Sequence, residues 1–471
     1  MIDFNAPYGL LIDGQLVQTS AKLEVVNPAT GKVFATCPAA GAAELDMAVA
    51  AARRAFPAWR ALSFEERAGH VARIAAALEA HKEPLARLLT QEQGKPVGQS
   101  RDEIARAGTL SVGMTKIRIA PETILDNAQR LIELHWRPLG VAGIITPWNA
   151  PVNLAAGPLA SALYAGNCAI IKPSPFTPLT TLRIGELLRG ILPAGVVSVL
   201  SGGDELGALM TAHPGIDKIS FTGSVATGKK VMAGAAGTLK RVTLELGGND
   251  AAIVLPDVDV ADVAKKLFFA ATVNSGQVCM AVKRIYAHED IYEALCAALA
   301  AEARQAKLGD GLDPATTLGP IQNRRQYERV CELKDDARQH GRMDEGTLPA
   351  GGGYFVAPTV VTGLGERDRL VAEEQFGPVF PVLPFSDVND AVARANDTRF
   401  GLAGSVWSRD TARATAIAAR LEVGTAWVNQ HRITAADVPF GGAKESGIGR
   451  TYSRMGLEAY MEPQVISVLR S

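Results

Sequence analysis

Short β-branched runs separated by stretches of helical length dominate the chain from residue 141 onward, and this alternation restricts the fold more than any other feature. The runs VAGIIT (141–146), CAIIK (168–172), VVSVL (196–200), KISF (218–221) and RVTLEL (241–246) are spaced by segments such as PLTTLRIGELLRGIL and SVATGKKVMAGAA. Strand and helix in alternation build βαβ units, whose crossovers make neighbouring strands parallel, so a doubly wound α/β sheet is expected. A second series, AAIVL (251–255), RIYAH (284–288), PVFPVLPF (378–385), GSVW (404–407) and TAWVN (425–429), predicts a second α/β unit. Upstream, Ala42 to about Leu110 has helical apolar spacing, with Pro84 starting or kinking a helix. VVNPATGKVFATCPAA reads as short β pieces, and Gly309 to Gly353 as polar surface loops with one helix. Two outlying strand-like stretches, QRLIELHWRPL (129–139) and the tail EAYMEPQVISVLRS, could pair with each other or with another subunit.

Composition then removes whole classes of function. Hydrophobic residues make up 47% and charged residues 21% of 471, which excludes wholesale disorder. With 48 basic and 49 acidic residues the net charge is -1, so no surplus exists to hold a nucleic-acid backbone or an anionic membrane. No apolar run approaches the roughly 18 residues of a membrane span. Asp3 stands where a signal peptide carries basic charge, so a cytoplasmic protein is expected. The five cysteines are odd in number and scattered, arguing for a reducing compartment, and neither CxxC nor HExxH supports a metal.

On doubly wound sheets ligands sit at the carboxyl ends of strands. Three candidates lie there or near. Gly223 to Lys229 matches the first seven positions of the Walker pattern GxxxxGK, but Lys230 replaces the hydroxyl that would hold Mg²⁺. A strand, glycine turn and helix start still make an anion site for a pyrophosphate, or only a structural turn. Cys279, in NSGQVCMAVKR, has polar, turn-prone residues before it; a lone cysteine is more often an inert core residue, and no histidine presents itself nearby. Glu245 ends an apolar strand before Gly247-Gly248, a costly place for a carboxylate unless it is paired, hydrogen-bonded or functional.

The order of these motifs resembles the aldehyde dehydrogenase superfamily over nearly the whole chain. The resemblance is carried by VVNPATGKV, PWN (147–149), KPS (172–174), FTGS (221–224), ELGG (245–248), GQVC (276–279), EEQFGPV (373–379), WVN (427–429) and PFGGAKESGIGR (439–450). It implies a dinucleotide-binding part at 1–120 and 140–246, a catalytic part at 247–440, and oligomerisation segments at 121–139 and 455–471. It also implies a homodimer or homotetramer acting on a small aldehyde, without nucleic acid, membrane or metal. Cys279 would be the nucleophile, forming a thiohemiacetal that loses hydride to the nicotinamide and becomes a thioester. Asn149 and the Cys279 N–H would hold the oxyanion, and Glu245 would activate the hydrolytic water. An unperturbed glutamate near ~4.3 is a weak base, so partial burial lifting it toward neutrality would suit that role. NAD is the first-choice cofactor, with NADP as the alternative. By the same resemblance Lys172 meets the adenosine ribose, Ser224 the pyrophosphate, Trp148 the cofactor's flank, and Glu374 and Phe376 the nicotinamide riboside. Ile145, Thr146, Ser174, Pro175, Gly202, Gly223 and Leu246 line the rest of that site.

Departures from the family pattern bear on specificity. Pro175 stands where many NAD-preferring relatives have a glutamate that repels a 2′-phosphate, which weakens the barrier to NADP. Gly157-Pro158 replace a Trp-Lys pair whose lysine has been proposed to relay protons, so proton release takes another route. Ala150, Gly157 and Thr434 replace aromatics around the aldehyde tunnel, predicting a wide, largely apolar entrance with Leu154, Val278, Met280 and Phe440. A coenzyme A-acylating enzyme is disfavoured by Glu245, and a silent structural relative by Cys279.

Overall fold

The computed structural model describes residues 3–470. Its first sheet has eight strands, in the order Gln15–Val17, Leu10–Ile12, Val197–Val199, Cys168–Lys172, Val141–Ile145, Lys218–Thr222, Arg241–Glu245 and Gly447–Ile448. The five from Val197 to Glu245 in that order run parallel, and the three flanking strands are antiparallel additions. Taken in chain order, the strand at 141–145 lies centrally and successive strands build outward, first on one side and then on the other. The order reverses between Val141–Ile145 and Lys218–Thr222, so their carboxyl ends open the crevice where such sheets bind ligands.

The second sheet has seven strands, parallel except for the edge strand Arg342–Glu345, with Ala251–Val254 near its centre. Its strands alternate faces residue by residue. Ala251, Ile253, Val361 and Val406 enter one apolar core, while Ala252, Val254, Val360 and Trp407 enter another on the opposite face. Burial on both faces is why these runs read as continuously hydrophobic.

Of four helices, Ala42–Ala61, Phe64–Ala80, Lys82–Gln93 and Val97–Met114, the first packs on the first sheet and the others on the helices Pro151–Ala165 and Leu179–Arg189. The second opens with a capping box in which Ser63 Oγ accepts from the Glu66 N–H at 3.2 Å and Glu66 accepts from the Ser63 N–H at 2.7 Å. The tail strand Met461–Leu469 pairs antiparallel with Arg130–Pro138, in register from Met461 opposite Pro138 to Leu469 opposite Arg130. The two outlying stretches therefore find each other within the chain. Glu122–Asp126 completes this third sheet and leaves Met461–Leu469 as an open edge. The segment 309–353 holds the helix Arg324–Arg338 and also the strand Arg342–Glu345, which the sequence analysis did not anticipate. No helix among the described residues is long and apolar enough to cross a membrane.

Candidate active site

Cys279 is presented by a tightly wound loop after the helix Val260–Thr272. Asn274, Ser275 and Gly276 all take left-handed conformations, with φ of 52°, 55° and 72°. Two consecutive non-glycine residues in that region are strained, and they persist only because bonds around them over-determine the backbone. Asn274 Nδ2 donates to the Asn149 carbonyl at 2.9 Å, and Ser275 Oγ to the Gly319 carbonyl at 2.7 Å. Gln277 Nε2 donates to the Asn274 carbonyl at 2.9 Å, while its Oε1 accepts from the Gln322 N–H at 2.8 Å. At Gly276 a side chain has no room, because a Cβ would lie 2.2 Å from the Gly377 oxygen. On the far side of the cysteine, buried Lys283 Nζ donates to the carbonyls of Val278 at 3.0 Å and Cys279 at 2.6 Å.

A histidine does stand close by, contrary to the sequence analysis, but it serves the peptide chain. Trp407 Nε1 donates to Ser405 Oγ at 2.9 Å, which lies 2.9 Å from His431 Nδ1, and His431 Nε2 lies 3.1 Å from the Met280 carbonyl. Asp250 Oδ2 lies 3.7 Å from the same Nε2; burial lowers the pKa of the ring, with Asp250 opposing. The Cys279 thiol itself is pushed up to about 12 by burial, with Lys283 opposing and Asp250, Glu245 and Glu374 reinforcing. The resting side chain is therefore a thiol, and attack on a carbonyl requires a base to remove its proton.

Asn149 lies past the carboxyl end of the strand Val141–Ile145, and its Nδ2 donates to the Gln277 carbonyl at 2.9 Å. One amide hydrogen is thus anchored two residues from Cys279 and the other is left to point at a substrate. The Asn149 carbonyl also accepts from Lys95 Nζ at 2.8 Å. Lys95 forms a buried ion pair with Glu103 at 2.5 Å. Glu103 Oε1 accepts from the Val152 N–H at 2.9 Å and the Asn153 N–H at 3.2 Å, closing the start of the helix Pro151–Ala165. Lys95, in the turn between the helices Lys82–Gln93 and Val97–Met114, and Glu103, in the second of them, escaped the sequence analysis because that stretch reads only as core cover; two charges facing a buried layer were the available signal.

Glu245 ends its strand opposite Gly447, is buried, and has no hydrogen-bond partner on either carboxylate oxygen. Burial raises its pKa to about 8, with Arg450 and the nearby Thr451 hydroxyl drawing it down; that hydroxyl donates to the Phe440 carbonyl at 3.2 Å and not to the carboxylate. Gly441, at φ 156°, lets the neighbouring loop pass so closely that a Cβ there would sit 3.0 Å from Glu245 Oε1.

The crevice at the strand ends fits a dinucleotide. Glu103 fills the start of the helix Pro151–Ala165, and Glu92 accepts from the Leu179 and Thr180 N–H groups at 2.7 and 2.9 Å, filling the start of Leu179–Arg189. The helix Val225–Ala236 begins instead at Ser224, whose Oγ accepts from the Thr227 N–H at 3.2 Å, and no carboxylate caps it. That open positive end suits a pyrophosphate. Lys172, in register beside Ile145, is buried, and its Nζ has only the Pro173 carbonyl, at 3.4 Å. Burial lowers it to about 8, and Thr146 Oγ1 beside it is likewise buried without a partner. Such orphaned groups fit ribose hydroxyls. Ser174 is buried and Pro175 partly exposed, while Gly202 follows Val197–Val199 and Gly223 follows Lys218–Thr222. Leu246 is buried and packs where a Cβ on Gly228 would strike it. Glu374 Oε1 accepts from the Gly248 N–H at 3.0 Å and lies 3.6 Å from Lys283 Nζ. Phe376 meets Trp148 edge-on at 5.4 Å.

The aldehyde side differs from its sequence-based picture. Leu154 and Gly157 lie one turn apart on the helix Pro151–Ala165, and Val278 and Met280 flank the cysteine, all in or near the buried layer. The gap beside Gly157 is filled by Tyr452, since a Cβ at 157 would stand 3.1 Å from its ring. Tyr452 is buried, and its phenol is raised to about 12 by burial, with Glu245 and Cys279 among the nearby groups. Phe440 is buried behind it, bonded through its N–H to the Thr451 carbonyl at 3.0 Å. Thr434 accepts from Arg106 at its carbonyl at 2.8 Å and also at its hydroxyl. Arg432 comes from the same loop, so the entrance is not wholly apolar, and a cavity of about 610 Å³ opens beside Arg106 and Thr434. Ala150 precedes the helix and is partly exposed.

The model of the aldehyde dehydrogenase family matches residues 16–466. The chain belongs to the aldehyde dehydrogenase family. Glutarate-semialdehyde dehydrogenase of Pseudomonas putida is 37% identical, with 95% of this chain and 94% of that protein covered. An aldehyde dehydrogenase structure from Bacillus cereus superposes with a TM-score of 0.97 at 34% identity, covering 99% and 98% of the two chains. Betaine aldehyde dehydrogenase of Staphylococcus aureus, solved with NAD+, gives 0.95 at 32% identity over 99% and 96%. This aldehyde dehydrogenase is thus an oxidoreductase with the mixed α/β, parallel-sheet fold of its relatives. Within it the structure gathers Cys279, Asn149, Glu245, Glu374 and Phe376 around the carboxyl ends of the first sheet. The residues that sequence reasoning missed are Lys95, Glu103, Lys283, His431, Arg432 and Tyr452.

Proposed function

We propose that this aldehyde dehydrogenase converts an aldehyde to its carboxylic acid through a covalent adduct on Cys279, hydrolysed with Glu245 as general base. The observation that carries this reading is the Glu245 carboxylate: buried, without a hydrogen-bond partner on either oxygen, and close enough to raise the thiol. A structural acid in that position would have acquired donors. Cys279 gives its proton to solvent, and the resulting thiolate attacks the carbonyl carbon. The free N–H of Asn149 and the backbone N–H of Cys279 hold the oxyanion that develops. The nicotinamide dinucleotide, when bound, supplies the hydride acceptor that turns this tetrahedral adduct into a thioester. Glu245 then takes a proton from water, hydroxide adds to the thioester carbon, and the C–S bond breaks; the departing thiolate takes that proton back from Glu245, leaving the thiol and the acid as product. Lys283 and His431 keep the peptides on both sides of the cysteine still during these steps.

Lys172, Ser224, Glu374 and Phe376 are proposed to hold the dinucleotide, with NAD preferred and NADP admitted because Pro175 bears no charge. An even-order oligomer forming along Met461–Leu469 is supported by the exposure of Val465, Ile466, Val468 and Leu469 on that open edge. All five cysteines are free, which suits a cytoplasmic setting. The test is cofactor reduction with a panel of aldehydes, with and without coenzyme A, in wild type and Cys279→Ala. Loss of activity in the variant with NAD binding retained is the expected result. Sustained turnover by Cys279→Ala, or an absolute need for coenzyme A, refutes the reading.

A further inference from the structure

The names of similar proteins include both an anionic and a cationic aldehyde, so substrate charge must be sought in residues at the entrance. Arg432 stands there in a left-handed conformation, φ 68°, which a side chain of this size holds only when its neighbours enforce it. They do so from both sides: His431 is tied to Met280, and Trp427 Nε1 donates to the Ile433 carbonyl at 3.1 Å. The guanidinium lies 5.6 Å from the centre of the Phe269 ring, and its Nε is buried without a partner. The Cys279 thiol and a second arginine, Arg106, are among the groups that act on it, and no carboxylate of the described residues forms an ion pair with it. Arg106 reaches the same loop from the helix Val97–Met114 through its bonds to Thr434. Two cations thus share one loop beside the nucleophile, and one of them has an unused buried donor. Arg432 is half-buried, its buried Nε donor is costly to leave unmade, and the guanidinium fork matches a carboxylate in two parallel bonds.

We propose that Arg432, assisted by Arg106, receives a carboxylate at the end of the substrate remote from the carbonyl, so that the preferred substrates are anionic aldehydes. This rests on the aldehyde-oxidising reading above. A neutral aldehyde leaves the guanidinium unpaired, and a cationic one is repelled by both arginines.

The experiment compares pentanal, 5-oxopentanoate and a trimethylammonio aldehyde of similar length as substrates of the full-length enzyme with saturating NAD. Wild type is expected to favour 5-oxopentanoate over pentanal by about tenfold to a hundredfold in kcat/KM, the range of a hydrogen bond to a charged group, with the cation poorest. Arg432→Met should collapse the anionic-to-neutral ratio by at least about tenfold, mainly through KM, and Arg432→Lys should restore part of it. Equal rates for the three aldehydes in wild type, or an unchanged ratio in Arg432→Met, overturns the proposal. So does a uniform loss with all substrates accompanied by a shifted pH profile of acylation, which would assign Arg432 to the thiol instead. If Arg432→Met does not fold, wild-type inhibition decides: glutarate should compete with the aldehyde more tightly than pentanoate, and the reverse order overturns the idea. Absence of activity with every aldehyde would refute the underlying reading, and is a separate outcome.

Discussion

Deacylation by Glu245 can be tested through its pH dependence, because burial has moved this carboxyl from the usual carboxylate range to about 8. A general base works only when ionised, so the carboxylate form is lost as pH falls through 8. At pH 7 roughly one-tenth of the active sites would carry the base, and each further unit down would cost about another factor of ten. The hydride-transfer step does not draw on this group as base. Rapid mixing should therefore give a burst of about one reduced cofactor per active site at low pH, then a slow phase that quickens up to pH 8 and levels above it. Glu245→Gln should keep the burst and slow the second phase by about a hundredfold or more, the usual contribution of a positioned base. Stability supplies an independent reading. Between an unfolded pKa near ~4.3 and a folded value near 8, the native state holds a proton that the unfolded chain releases, so the residue's contribution to stability declines as pH rises through that window. Glutamine escapes that decline. The melting temperature of Glu245→Gln should rise relative to wild type between pH 6 and pH 9. A flat pH profile for the slow phase, or normal steady-state turnover in the variant, would falsify the assignment of Glu245 as base.

Other expectations follow from the surroundings of the site. Glu103→Gln leaves Lys95 buried without its counter-ion, so denaturant unfolding should show a loss of about 3–5 kcal/mol together with a lower kcat, as Asn149 loses its brace. Lys95→Met with Glu103→Leu should recover part of the stability but not the activity; equal recovery of both would show that the pair does not position Asn149. Pro175→Glu places a like charge against a 2′-phosphate, so it should widen a wild-type NAD over NADP preference of no more than about a hundredfold, or about 3 kcal/mol. A ratio of kcat/KM values unmoved by this change would place cofactor choice elsewhere. Light scattering at micromolar concentration should give an even-order oligomer, and Val468→Glu on the open edge should weaken it; a stable wild-type monomer would contradict the assembly.

Strands buried on both faces were the most legible part of the fold, because nothing polar interrupts runs such as CAIIK and RIYAH. The short antiparallel additions were not. Leu10–Ile12 and Gln15–Val17 are joined by Asp13-Gly14, both with positive φ, the signature of a two-residue hairpin, yet each strand is only three residues long. Gly447–Ile448 has no strand signal at all and exists because it pairs with Leu244 and Glu245. The residues proposed to be catalytic could be singled out because their motifs are local in sequence. Their support could not be, because Lys95, Lys283 and His431 act through backbone carbonyls and Glu103 through backbone N–H groups, and a peptide group has no sequence identity. Nothing in the residue pattern connects His431 to Met280 or Lys95 to Asn149, separations that only the folded crevice closes.

Tyr452 shows the same gap between position and space. Read one position at a time, the glycine at 157 predicts a hole, since the residue type there has lost its ring. In the fold the hole never opens, because the last stretch before Met461–Leu469 turns back and Tyr452, at φ 56°, inserts its ring from the opposite wall. A larger residue at 157 would collide with it, so the small residue and the tyrosine are two halves of one packing solution. Loss of bulk on one element licensed a strained backbone on another, and the resulting wall carries a phenol beside Glu245 in place of an aliphatic surface. The same exchange holds at 434, where Thr434 gives up bulk and its carbonyl and hydroxyl are taken by Arg106. Both replacements bring polar groups to the aldehyde side. An entrance assembled this way discriminates by charge and hydrogen bonding before it discriminates by size, which is why substrate charge is the variable that separates its competing readings.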